Sequence, residues 1–100
     1  MDIYPAKLVQ SIAGRDKNDY FAVMEVVDEN YVLICDGKGR STDKPKRKKI
    51  KHITDMNCEL TRIKEKMNEA KKISNSDIRK AIKTALSELG LRDFDEDKES

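Results

Sequence analysis

Hydrophobic residues come in short bursts separated by polar turns, and their period changes near residue 57. In Lys7–Ala13, Val9, Ser11 and Ala13 alternate with Leu8, Gln10 and Ile12, which predicts a short strand ended by Gly14. Residues 14–19 are polar and turn-rich. Tyr20–Asp28 is dense in β-branched and aromatic side chains and predicts the strongest strand of the chain. Its alternation breaks because Glu25 falls in phase with Phe21 and Val23, so a bulge is expected near Glu25. Asp28-Glu29-Asn30 forms a tight turn into a further strand, Tyr31–Cys35, and the two strands read as an antiparallel hairpin. Asp36-Gly-Lys-Gly39 interrupts the pattern. Arg40 to Lys49 contains no large apolar side chain and carries Pro45, which excludes an interior strand. Ile50 to Met56 predicts a final strand.

Beyond it the period becomes helical. Leu60, Ile63, Met67 and Ala70 make a narrow stripe over 59–72. Ile78, Ala81, Ile82, Ala85, Leu86 and Leu89 make a broader face over 76–89. Ser74 and Ser76 are N-cap candidates, Asp77 suits the positive helix end, and Gly90 followed by Leu91 fits a helix C-terminus. The organisation expected is a β unit over 1–56 with a basic loop at 38–51, a helical extension over 57–91, and an acidic, disordered tail over 92–100.

At 100 residues with 37% hydrophobic and 40% charged side chains, the chain is one domain with a small core. The net charge of +2 conceals an asymmetry. Residues 1–72 hold 16 Lys/Arg against 12 Asp/Glu, and residues 73–100 hold 5 against 7. A basic body points to a polyanionic partner. Cys35 and Cys58 are too few for a disulfide framework. With His52 as the sole histidine they do not make a zinc site, and no metal or cofactor is expected. Reduced thiols, the lack of a signal or transit peptide at the start, and the lack of a 20-residue apolar run predict a cytoplasmic protein with no membrane partner. No Ser/His/Asp or Cys/His set has a recognisable context, so an enzyme is not expected. Asp16, Asp19, Asp28 and Glu29 read as turn residues.

The most informative stretch is Lys38 to His52. Lys38, Arg40, Lys44, Lys46, Arg47, Lys48, Lys49 and Lys51 put eight cations there against Asp43 alone. Side chains so crowded repel one another, and a polyphosphate relieves the repulsion while releasing its condensed counterions. The bland alternative is a solvated loop that only aids solubility, which accounts for scattered charge better than for this density. Arg15 and Lys17 in the first loop and His52 at the edge of the run are the remaining candidate RNA contacts. Tyr20, Phe21 and Tyr31 are candidate stacking platforms, with a core position the competing role.

Val9-Gln-Ser-Ile-Ala-Gly14-Arg-Asp-Lys17-Asn18 through Val26 resembles the KOW motif, with Gly14 and Lys17 matching its loop and Asn18 standing where that family usually has a second Gly. The longer pattern, through Tyr31-Val-Leu-Ile-Cys35 and the Lys-Pro-Lys-Arg-Lys-Lys run, is similar to bacterial KOW-domain proteins related to the ribosomal protein group fourteen-e, six-e and twenty-seven-e. The resemblance covers residues 7 to about 54 well and the helical part less specifically. It implies a mainly β fold with C-terminal α, an SH3-like barrel of about five strands followed by one or two helices. It also implies RNA as partner, ribosomal RNA or the ribosome first, and a role in translation. The rival expectation is a protein-interaction module in a translation or transcription complex, recruiting a partner through the C-terminal helices. A further one has the acidic tail screening the basic loop.

Overall fold

The computed structural model describes residues 3–91, so the expected acidic tail lies outside the described residues. The fold is mainly β. Strands β1 (Lys7–Ser11), β2 (Tyr20–Val26), β3 (Tyr31–Cys35), β4 (Lys46–Lys49) and β5 (Ile53–Glu59) are followed by helices α1 (Thr61–Asn68) and α2 (Asn75–Glu88). All pairings are antiparallel, in the order β4-β3-β2-β1-β5. The bulge required near Glu25 is present: the β2–β3 register passes from Val23 opposite Ile34 to Glu25 opposite Leu33, so Met24 is the extra residue.

Connectivity forces the sheet to curl. β4 and β5 are its two edges, yet only the single 3₁₀ turn Ile50–His52 joins them. Four inter-strand steps in a flat sheet amount to about 19 Å. The four residues from Lys49 to Ile53 reach at most about 14 Å. The sheet therefore wraps around Val9, Phe21, Val23, Val32, Ile34 and Ile53, with Ile3 and Ile50 at the margin. No ladder joins β4 to β5, so the sheet stays open.

Alternate residues on the outer face form a second core. Leu8, Ala22 and Cys35 meet Leu60, Ile63, Ile78, Ile82, Ala85 and Leu86 of the helical segment. Burial holds the Cys35 thiol up to about 12, with the Asp36 carboxylate adding to the effect, so it stays protonated. α2 begins with a capping box: the Asp77 backbone N–H donates to Ser74 Oγ at 3.0 Å and the Ser74 N–H to Asp77 Oδ2 at 2.9 Å. It ends at Gly90, φ +73°, with the Leu91 N–H donating to the Leu86 carbonyl at 2.8 Å and the Gly90 N–H to Ser87 at 3.1 Å. That is the Schellman pattern expected from the sequence. α1 is shorter than its stripe implied. It stops at Asn68, and Ala70 adopts φ +54° outside it.

The basic segment differs most from its expected form. It is not one loop over 38–51 but a turn-rich loop at 36–45, the edge strand β4 and the 3₁₀ turn. Pro45 precedes β4, where its missing N–H costs no ladder bond.

Candidate nucleic-acid interface

Strand alternation divides the four cations of β4 into two pairs. Lys46 and Lys48 lie opposite Ile34 and Val32, whose side chains fill the inner core. Arg47 and Lys49 lie opposite Leu33 and Tyr31 on the outer face.

The inner pair is committed to an ion cluster. Lys48, 7% exposed, donates from Nζ to Asp16 Oδ1 at 2.8 Å and to the Ala13 carbonyl at 2.9 Å. Lys46 Nζ donates to Asp16 Oδ2 at 3.0 Å, and Ser11 Oγ donates to Asp16 Oδ1 at 2.8 Å. Burial pushes the Asp16 carboxyl up, but hydrogen bonds from Lys48, Ser11 and Lys46 more than offset it and hold Asp16 well below the usual carboxylate range. Asp16 thus fastens the 12–19 loop to β4. Both ammonium groups of this expected RNA-contact pair thus have an internal anion; that of Lys48 is buried, whereas that of Lys46 is partly open to solvent. Turn chemistry was the expected role of Asp16. Its partners stand 30 and 32 residues away in sequence, beyond what a local reading detects.

The other cations are presented outward. Arg47 is exposed and its guanidinium carbon stands 4.2 Å from the Tyr31 ring centroid. Lys49 and Lys51 are exposed and, among the described residues, bonded to no carboxylate. Arg40 and Lys44 are likewise exposed and unpaired within that range, while Lys38 is exposed with its own contacts inside the chain. Arg15 and Lys17 flank Asp16 in the chain and are exposed. Asn18, at φ +78°, and Gly14, at φ +84°, shape that loop. His52 is half-buried, and its carbonyl accepts from the Ile12 N–H at 2.9 Å, which ties the 3₁₀ turn to the end of β1. Of the stacking candidates, Phe21 is buried and Tyr20 packs against the helix-side core, which leaves Tyr31.

The 36–45 loop is held at both ends. Asp36 Oδ1 accepts from the Lys38 and Arg40 backbone N–H groups at 2.8 and 3.0 Å. Asn75 Oδ1 accepts from the Thr42 N–H at 2.8 Å, and Arg79 donates to the Gly37 carbonyl at 2.6 Å. Asn75 and Arg79 are positioning residues that sequence reasoning missed, for they sit on α2, more than thirty residues downstream. Gly37 has φ +76°, and a Cβ there would run into the Asn75 carbonyl and come to 2.9 Å from Arg79 Cγ. Gly37→Ala should therefore cost at least about 1–3 kcal/mol and detach the loop from α2, measurable as a lowered Tm and faster amide exchange over 37–44.

Among the described residues no group of three or more His, Cys, Asp or Glu could hold a metal ion, and no helix is long and apolar enough to cross a membrane. No family model matches the chain.

Proposed function

We propose that the protein binds RNA through the outward cations of β4 and its flanking loops, and that its sheet is an SH3-like barrel of the KOW type. One observation carries the reading. Arg40, Lys44, Arg47, Lys49 and Lys51 are exposed on a fixed scaffold with no carboxylate among the described residues holding them, while the chain spends Asp16 on the two lysines that face inward. Charge kept open at that density lowers its free energy when phosphates replace bound counterions. Lysine on an edge strand also guards against strand addition. That role needs one or two lysines and leaves Arg40, Lys44 and Lys51 without a purpose.

The barrel assignment is supported by the strand order, by the curl that the short β4–β5 link imposes, and by the KOW-like first loop with Gly14 and Asn18 in left-handed conformations. Structured RNA, ribosomal RNA first, is the expected partner, because five aromatic residues in the whole chain, with Phe21 in the core, are few for tracking an unpaired strand. The rival, a protein-interaction module, draws on the cleft between β5, α1 and α2 lined by Cys58, Leu60, Arg62, Lys80, Ala81 and Glu88.

Ultraviolet crosslinking in cells, followed by sequencing of the attached RNA and mapping of the crosslinked peptide, tests the proposal. The expected result is RNA attached within residues 40–51. Recovery of no RNA above an irradiated unrelated protein would reject it.

A further inference from the structure

The turn between β2 and β3 and the end of β4 enclose a cleft of about 400 Å³ lined by Glu29, Asn30, Tyr31, Lys49, Ile50 and Lys51. That volume falls in the range of small-ligand sites. Its walls are fixed. Asp28 Oδ1 accepts from the Asn30 and Tyr31 backbone N–H groups at 2.8 and 2.9 Å, and the Ile50 N–H donates to the Asn30 carbonyl at 2.8 Å. The guanidinium carbon of Arg47 stands 4.2 Å from the ring centroid of Tyr31, itself a lining residue, so a cation–π pair borders the cleft. Lys49 and Lys51 supply the charge a phosphate needs. Glu29 is the odd member: an exposed carboxylate among cations that, within the described residues, no donor holds.

We infer that this cleft takes one unstacked nucleobase of the bound RNA and that Glu29 selects guanine. The inference rests on the RNA-binding reading above and deepens it. Guanine presents two adjacent donors, N1–H and the N2 amino group, to the two oxygens of one carboxylate. Adenine and cytosine each pair one donor with an acceptor on that edge, and uracil places its N3–H between two carbonyls, so each sets an acceptor against the Glu29 charge. A carboxylate is therefore a discriminating group here, whereas a lysine is not. The base stacks on the Arg47–Tyr31 pair, and Lys49 and Lys51 hold its flanking phosphates. Bulged and looped nucleotides are the ones that structured RNA offers in this unstacked form.

Fluorescence anisotropy on RNA hairpins that differ only in one bulged nucleotide tests the assignment. The hairpins carry a bulged guanosine, a bulged adenosine or no bulge, and are titrated with the full chain and with Glu29→Gln. The guanosine bulge should bind about tenfold more tightly than the adenosine bulge, in line with a bidentate base contact. Glu29→Gln, a solvent-exposed isosteric change, should remove that preference and leave the unbulged hairpin bound as well as before or slightly better. Equal affinity for both bulges, or a preference that survives Glu29→Gln, overturns the base pocket while leaving RNA binding in place. Failure to bind any of the hairpins overturns both.

Discussion

Replacing Arg40, Lys44, Arg47, Lys49 and Lys51 together by alanine should cut RNA affinity by about a hundred- to a thousandfold at low salt. The size follows from counterion release. A protein with six to ten phosphate contacts loses on the order of 10³–10⁵ in affinity as salt rises from 50 to 200 mM, so five contacts removed outright approach the lower end of that loss. The fold should survive, because all five side chains are exposed and none is ion-paired among the described residues. Only the Arg47–Tyr31 stack goes, and at an exposed site it is worth about 0.5–1 kcal/mol. Lys48→Ala gives the opposite signature. It should lower Tm and affect RNA binding through loss of structure, since its ammonium is 7% exposed and bound to Asp16. Comparing the two variants by melting and by anisotropy separates charge that serves a ligand from charge that serves the fold. Equal RNA loss in two equally stable variants would contradict that division.

The second large effect is on stability. Asp16→Ala leaves Lys48 and Lys46 with no anion among the described residues and Ser11 with one acceptor fewer. Breaking a buried ion pair by deleting one partner costs about 3–5 kcal/mol, because the remaining charge is stranded away from water. In a domain of this size a loss near 3 kcal/mol lowers Tm by more than about 10 °C. The same carboxylate makes the fold acid-sensitive. Its folded pKa is depressed below the ordinary 3.8, so the stability it contributes is complete above about pH 5 and fades as pH falls from there toward the folded pKa. Asp77, held down to about 2 by Lys66 and the Ser74 backbone N–H, acts in the same direction. Melting profiles between pH 7 and pH 2.5 should show a Tm that drops with acid in the natural chain and drops less in Asp16→Asn. An unchanged acid slope in that variant would remove Asp16 from the account.

What the sequence shows and what it hides follow from where each interaction is encoded. β2 and β3 are legible because β-branched residues crowd them, and the bulge at Met24 because Glu25 breaks the phase locally. The limits of α2 are legible because the capping box and the Schellman turn are each written within six residues. β4 was hidden. Lys-Arg-Lys-Lys has no apolar residue, so its period-two pattern has no hydrophobic mark, and only pairing with β3 and the ion cluster beneath it make it a strand. The candidate interface was legible as composition but not as geometry. Eight cations in fifteen residues stand out in the sequence, whereas their division into inward and outward sets depends on Asp16, some thirty residues upstream. The docking of the 36–45 loop on Asn75 and Arg79 was equally out of reach, since neither residue bears a local signal of it.

The salt dependence of RNA binding by the natural chain tests the central claim most directly. If the outward cations exist to neutralise phosphates, the logarithm of the association constant should fall linearly with the logarithm of salt concentration, with a slope of about −4.5 to −5.5 for five or six contacts. A slope near zero, or no binding to structured RNA in dilute buffer, would contradict it.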